Sequence, residues 1–553
     1  MAFDNLLASL GGFGSYQRRI FAVVCLLEMV IPLHILCQVF YTLPVDHWCR
    51  DSTLESCPHH SNMTLLECQE SIKNLTIPFD EKTSTYSQCS KYITQESENR
   101  SKWTTVGCDE GWHYGPHSPS SIQTDFDLVC ERSSLTQVAQ SIFFAGIMVS
   151  SLFCVLYGDR FGRLRVLFVG IGGTSLMGLI LAVTPNYATY VVVRFIVAAF
   201  LWMTMSSCYI HLTENISSSY RVFVTCGVGV PFGIGFSILA GLAYFVPNWR
   251  TLQIVISLPM LAFFIFWPIF MESPRWLLSR GRWTDAEKIL KKIARLNKKK
   301  TELSKESLDN LEESLRNETQ TSSLRQLFRL PRLRLRTMTL MFNWFVQSFV
   351  YYGLSLSTSS FGVNVYVAFC IAGAVEVPAA MLSFVLVKYA GRRHALILTM
   401  VPAGIACIST GFLPLGPIMT TAAMIGKFAI SSSFATVYLY TVELYSTNLR
   451  SAGLGSGSLG SRIGGICAPL VLLLDGLWQP LPQIVFGATS VIAGLLVVLL
   501  PETKGQPMPQ TTEEAEALGR HNHSSTKRAS RRRGTLKNFN SDVTFEKLVS
   551  FSI

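Results

Sequence analysis

Apolar residues in this chain do not alternate with polar ones; they gather into long runs separated by short polar connections. A helix needs roughly 20 apolar residues to cross the hydrocarbon layer of a bilayer. Runs near that length lie at 21–41, 134–157, 164–184, 189–212, 221–246, 250–270, 338–357, 365–388, 394–414, 417–440, 450–474 and 480–500. Two long polar segments, 42–133 and 271–337, interrupt the series. The pattern predicts an all-α membrane protein of twelve transmembrane helices in two six-helix repeats. Its parts are an N-terminus over 1–20, a first bundle over 21–270, a linker over 271–337, a second bundle over 338–500 and a polar tail over 501–553.

Short phrases at the edges of these runs occur twice. Glu214 and Arg221 bracket TENISSSYR, and Glu443 and Arg450 bracket VELYSTNLR 229 residues later. Gly162 and Arg163 in DRFGR return at the same offset as Gly391 and Arg392, and Glu272 in ESPRW returns as Glu502 in PETKG. The bundle is therefore a duplication, an arrangement by which secondary transporters build a central site that opens to alternate sides.

Composition agrees with the membrane class: 49% of residues are hydrophobic and 15% charged, too little polar surface to cover a water-soluble protein of 553 residues. Arg18 and Arg19 precede a long first run with no small-residue cleavage pattern after it, so the first helix is expected to be a retained anchor. Segment 271–337 holds 17 Lys/Arg against 9 Asp/Glu, whereas 42–133 holds 7 against 14. The positive-inside rule places the first in the cytosol with both termini and the second outside. The net charge of +11 then reflects topology, with no nucleic-acid partner implied.

Cys49, Cys57, Cys68, Cys89, Cys108 and Cys130 are six of the fourteen cysteines and all lie in the external segment. An even number in an oxidising space predicts three disulfides, in a pairing that spacing does not give. The same segment carries glycosylation sequons at Asn62, Asn74 and Asn99, and reads as a disulfide-tied cap over the bundle. Sequons at Asn317 and Asn522 fall on the cytosolic side and should stay bare.

DAEKILKKIARLNKKK in the linker has apolar residues at helical spacing among basic ones, an amphipathic helix expected to lie at the inner membrane surface and clamp the bundle. The tail loses hydrophobicity after Pro501 and reads as disordered. It offers Ser530 and Thr535 after basic residues, and a terminal Phe-Ser-Ile that suits a PDZ-type scaffold. Gly455-Ser-Gly-Ser-Leu-Gly460 matches a dinucleotide-loop pattern, but no strand precedes it and its flanks continue a membrane span rich in small residues, so close helix packing is the better reading. No group of side chains has metal-ligand or nucleophile-base spacing. Neither an enzyme nor a metal or other cofactor is expected.

An ionisable residue at mid-membrane costs at least about 2.5–3.5 kcal/mol unless a partner or wet cavity receives it. Glu28, Arg194, Glu376, Lys427 and Arg462 all fall inside predicted spans. Arg462 sits about a dozen residues into the eleventh, beside small residues. A guanidinium does not discharge by losing a proton, and its planar fork suits a carboxylate or sulfate. Two readings are open: a cargo anion neutralises Arg462, or a protein carboxylate does, with Glu376 the suspected partner. Trp344, Tyr351, Tyr352, Phe434, Tyr438 and Phe232 supply aromatic surface in spans expected to face the centre. Tyr351 and Tyr352 are adjacent, so at most one can point squarely at a cavity.

Across nearly its whole length the chain resembles solute carrier family 22, the organic ion transporters of the major facilitator superfamily. The resemblance rests on the MAF start with GGFG, the Cys-rich loop ending in TDFDLVC, GDRFGR, PNWR, ESPRWLLSRGR, YYGLSL, GAVEVP, VELYSTNLR, SRIGG and PETKGQ. It implies alternating access without ATP hydrolysis, in the plasma membrane of epithelial cells. In the eleventh span the family's anion carriers have Arg where its cation carriers have Asp, and SRIGG supplies Arg462. Matching motif positions imply a central site of His34, Tyr209, Phe232, Trp344, Tyr351, Tyr352, Phe434, Tyr438 and Arg462. They also imply a gating set of Asp159, Arg160, Gly162 and Arg163 with Glu214, Arg221, Glu443 and Arg450, whose charge pairs hold the cytosolic face shut in one state.

Two departures matter. Ala380 stands where several anion carriers have Lys or Arg, which favours monoanions with a large apolar body over dicarboxylates. Val155 stands where the superfamily motif has Gly. The expected function is transport of organic anions such as urate, nicotinate, steroid sulfates or prostaglandin-like acids, by exchange or facilitated passage. The alternatives are a zwitterion or cation carrier, suggested by Glu376 and the acidic loop, and a non-transporting receptor.

Overall fold

The structure, a computed structural model, describes residues 2–50, 73–74, 76–80, 85–92, 104–115, 119–299, 324–446, 449–506 and 508–518. The six helices of the first bundle are Ser15–Tyr41, Ser134–Phe161, Arg163–Leu181, Tyr187–Glu214, Ser218–Phe245 and Trp249–Ile269. Those of the second are Pro331–Leu356, Val365–Tyr389, Arg392–Thr410, Pro417–Leu444, Arg450–Gly476 and Leu481–Leu499. Eleven of the twelve are long and apolar enough to cross a membrane on composition alone. The seventh, Pro331–Leu356, is long enough but more polar, because it buries Asn343, Gln347, Ser348 and Ser355 against its neighbours. It also begins earlier than expected. Arg336, assigned to the linker by sequence, sits in its first turns and donates to the carbonyls of Ala515 and Leu518.

The fold-back of the chain after the last span explains that contact. The tail expected to be disordered from residue 501 instead forms a short helix at Thr512–Ala517, because Thr511 and Glu514 make a capping box that satisfies two orphan helix donors. Glu516 then accepts from the backbone N–H groups of Arg332 and Leu333 at 3.1 and 2.8 Å, capping the seventh span. Ser530, Thr535 and the terminal Phe-Ser-Ile lie outside the described residues, as do Asn317 and Asn522. On the same face, the amphipathic helix Trp283–Leu296 buries Ala286, Leu290, Ile293 and Ala294. Its apolar side joins Phe3, Leu7 and Leu10 of the N-terminal segment and Trp276 to Leu278 in one cluster.

The opposite face carries the cysteine-rich segment. Strand β1 (His47–Cys49) pairs antiparallel with β6 (Trp112–Tyr114), β2 (Phe79–Asp80) with β3 (Thr85–Tyr86), and β4 (Ser90–Tyr92) with β5 (Thr105–Gly107). Disulfides join Cys49 to Cys108 and Cys89 to Cys130; Cys57 and Cys68 lie outside the described residues. Asp125 anchors this cap to the sixth span, accepting from Trp249 Nε1 at 3.0 Å and Arg250 Nε at 2.8 Å. Asn74 is exposed and accepts from the Tyr86 hydroxyl, while Asn62 and Asn99 lie outside the described residues.

The halves meet mainly toward this loop face. Phe40 of the first span packs on Tyr366 and Phe369 of the eighth, with ring centres 5.5 and 4.8 Å apart. Phe236 of the fifth stacks on Phe369 at 4.2 Å, Ser237 donates to the carbonyl of Cys370, and Ser141 of the second span donates to that of Ile466 in the eleventh. On the face that holds the helices Ala2–Ser9 and Thr512–Ala517, Tyr157, Phe161, Phe223 and Tyr389 of the second, fifth and eighth spans are exposed.

Candidate functional site

The duplicated motifs fold into two copies of one polar device at the face that holds the helices Ala2–Ser9 and Thr512–Ala517. Gly162 and Gly391 have φ of +99° and +85°, a region that favours glycine, and each turns the chain between two antiparallel spans. Glu272 accepts from the N–H groups of Arg163 and Leu164 at 3.1 and 3.2 Å, and Glu502 accepts from those of Arg392 and Arg393 at 3.0 and 3.1 Å. A carboxylate at a helix N-terminus satisfies orphan donors and meets the positive end of the dipole. Burial holds the Glu272 carboxyl above the usual carboxylate range. At Glu502 burial acts in the same direction, but the N–H groups of Lys504, Arg392, Arg393 and Thr503 prevail and hold it below that range.

The arginines complete the device. Arg163 pairs with Glu214 at 3.1 Å and with Asp159 at 2.7 Å, and Arg392 pairs with Glu443 at 2.7 Å. Each pair lies within one half. Arg221 and Arg450 do not join them: Arg221 pairs with Asp4 at 2.5 Å, and Arg450 donates to the carbonyl of Val442. Arg160 is exposed and lies over the Phe161 ring. The side chain of Val155 lies outside what the structure describes.

At the centre, the glycines of the eleventh span let it lie directly on the seventh. A Cβ at Gly460 would stand 2.5 Å from the Met341 carbonyl oxygen, and one at Gly464 would stand 2.2 Å from that of Phe345, so the GxGxxG run is a helix-packing surface. This contact presents Arg462 to the first bundle. Its guanidinium lies over the ring of Trp202 in the fourth span, 3.6 Å from the ring centre. Its Nε has no hydrogen-bond partner, and among the described residues no carboxylate lies within ion-pair distance.

Glu376, the suspected partner of Arg462, is bound elsewhere. It lies 3.2 Å from the ammonium of Lys427, which also donates to the Ser355 hydroxyl at 2.6 Å and stands 3.1 Å from the centre of the Tyr351 ring. The remaining intramembrane charges divide in the same way. Arg194 donates to Gln140 Oε1 at 3.0 Å and covers the Phe143 ring, whereas Glu28 is buried and makes no ion pair among the described residues.

Tyr351 and Tyr352 point apart. Tyr351 turns into the second bundle against Phe434, ring centres 5.4 Å apart, while Tyr352 packs at 4.4 Å on Phe144 of the second span and senses the charge of Arg462. Tyr438 lies 6.2 Å from Trp344 and 6.5 Å from Tyr209, bridging the halves. Trp344 is fixed by its Nε1–H donating to Thr441. Phe232 touches the cores of both halves. His34 is placed differently: it is buried inside the first bundle beside Arg194 and the Ile256 carbonyl, apart from the other aromatic residues. Trp202 and Phe144 were not among the residues expected from sequence.

A model of the sugar (and other) transporter family matches residues 81–515. An organic cation transporter protein of Drosophila melanogaster is 37% identical over 530 residues, covering 94% of this chain and 95% of the relative. Solute carrier family 22 member 13 of Homo sapiens is 35% identical over 94% of both chains, and member 6 of Oryctolagus cuniculus is 34% identical over 94% and 95%. Among solved structures, the inward open xylose transporter XylE of E. coli superposes with a TM-score of 0.62 at 15% identity, covering 91% of this chain and 99% of that one, a likeness that carries the fold alone. The twelve-helix major facilitator fold and the end-to-end likeness to organic ion transporters together place this chain in solute carrier family 22, within the sugar (and other) transporter family.

Proposed function

We propose that this member of the family carries organic anions across the plasma membrane of epithelial cells by alternating access, with both termini in the cytosol. The observation that supports the anion reading is Arg462, a permanent cation near mid-membrane that lies over an aromatic face and has no carboxylate within ion-pair distance among the described residues. A cation–π contact is worth about 2 kcal/mol when desolvated, less than the several kcal/mol an ion loses on burial. A cargo carboxylate or sulfate makes up the difference. Tyr352, Trp202, Tyr438 and Trp344 offer the apolar and π surface that suits a large lipophilic body. Ala380 adds no second cation, which favours monoanions such as steroid sulfates, urate, nicotinate or prostaglandin-like acids.

The contacts between the halves at the loop face fit a state open toward the cytosol. The paired motifs within each half then serve as rigid corners about which the halves rock. A PDZ-type scaffold and glycosylation of the loop belong to the same proposal, in which no catalytic step occurs.

The test is uptake of a panel of labelled anions by cells expressing wild type or Arg462→Ala, with surface expression measured. Loss of uptake with normal surface expression is expected, and undiminished uptake removes Arg462 from the site. The relative named an organic cation transporter favours a second reading, in which the buried Glu28, which makes no ion pair among the described residues, is the counter-ion. Uptake of a labelled organic cation that is lost in Glu28→Gln and untouched by anions would establish it.

A further inference from the structure

Two cations lie about the Tyr351–Tyr352 ridge of the seventh span. Lys427 Nζ stands 3.1 Å from the Tyr351 ring centre, Arg462 acts on Tyr352, and the two tyrosine rings are 5.3 Å apart at right angles. Glu376 acts electrostatically on both tyrosines and pairs with Lys427 at 3.2 Å. The three charges thus form one cluster about the aromatic wall, with a net charge of +1. Lys427 is nearly inaccessible, while the carboxylate side keeps some exposure. The acidic partner is therefore the more accessible of the two. It also lies on the seam between the halves: a Cβ at Gly233 of the fifth span would stand 2.7 Å from Glu376 Cβ, and Lys427 lies 5.3 Å from the Phe236 ring centre.

Resting on the anion reading above, we infer that Glu376 sets the charge of the cargo: by cancelling Lys427 it leaves one positive centre, and where a neutral side chain replaces it Lys427 becomes a second positive centre for the other carboxylate of a dianion. The physical ground is that specificity is a difference of affinities and is commonly built by a repulsive element. With Glu376 in place, the second carboxylate of a dicarboxylate would enter beside a fixed negative charge and lose its hydration without a partner. A monoanion presents only an apolar or π surface there. Ala380, four residues after Glu376 on the same helix face, leaves that carboxylate as the group nearest the second position.

The experiment compares initial uptake of a labelled steroid monosulfate and of labelled glutarate by wild type, Glu376→Gln and Glu376→Gln/Lys427→Met, normalised to surface protein. Glu376→Gln is expected to raise the glutarate-to-sulfate ratio roughly tenfold, the equivalent of one modest charge interaction. The double variant is expected to return the ratio to near the wild-type value. An unchanged ratio in the single variant, or a rise that persists in the double, overturns the inference. Removing one partner of a buried pair can prevent folding, so Lys427→Gln supplies the reverse test. An unpaired Glu376 should depress sulfate uptake several-fold, and Glu376→Gln on the same chain should restore it; absence of that rescue also overturns the inference. Failure of the anion reading itself shows separately, as sulfate uptake that survives Arg462→Ala.

Discussion

Arg462 of the eleventh span lies over the ring of Trp202 in the fourth, 3.6 Å from its centre, so that a cation of one half rests on an aromatic face of the other. The contact ties the proposed anion site to the seam between the halves. Trp202→Ala removes a contact worth about 1–2 kcal/mol, and should raise the KM for a steroid sulfate roughly tenfold with normal surface expression. Trp202→Phe, which keeps a ring, should recover most of that loss. Concentration-dependent uptake measures both.

The glycine surface of the eleventh span sets where Arg462 stands. Gly464→Val drives a branched side chain into the Phe345 carbonyl, where even a Cβ would stand at 2.2 Å. Overpacking of this kind costs on the order of 1–3 kcal/mol or more. The purified variant should unfold several degrees below wild type, whereas Gly455→Ala, which meets nothing within 4 Å, should leave the melting temperature unchanged.

The two cap carboxylates repeat one geometry but differ in charge balance. Burial holds the Glu272 carboxyl above the usual carboxylate range, whereas at Glu502 the same burial is outweighed by the surrounding N–H groups, so the ionised form is favoured more at Glu502. With a charged helix cap worth about 1 kcal/mol, Glu502→Gln should lower the melting temperature more than Glu272→Gln, read by a thermal unfolding assay. An equal or larger drop for Glu272→Gln would contradict that difference.

Ala380→Lys adds a second cation one turn from Glu376, on the face that meets the seam. Relative uptake of glutarate over a steroid sulfate should increase several-fold, and the increase should be larger in the Glu376→Gln background, where the added ammonium has no carboxylate to neutralise it. An unchanged ratio in both backgrounds would separate substrate charge from this helix face.

Much of this was legible in the sequence because it is carried by spacing along one chain. The 229-residue repeat marked Arg163, Glu214, Arg392 and Glu443, which pair at the two polar corners, but equally Arg221 and Arg450, which do not join them; an arginine within an apolar run marked itself by its cost. What depended on register between distant helices was not legible. Nothing local tells Glu376 to meet Lys427 on the tenth span and not Arg462 on the eleventh, and nothing marks Trp202 as the ring under the guanidinium. Tyr351 and Tyr352 were seen to diverge, since neighbouring helix positions point about 100° apart, but which one would face the first bundle required the packing of Phe144. The helix of the seventh span starts at Pro331, within the segment read as linker, and its Arg336 donates to the carbonyls of Ala515 and Leu518, a contact more than 170 residues away in sequence that nothing local announces.

The central claim is that Arg462 holds the negative group of the cargo, and flux in proteoliposomes tests it most directly. Wild type, Arg462→Ala and Arg462→Lys are reconstituted at matched density and loaded with a labelled steroid sulfate. Wild type should release the label rapidly, the lysine variant more slowly and the alanine variant at the rate of empty liposomes. Equal release by wild type and Arg462→Ala would contradict the account.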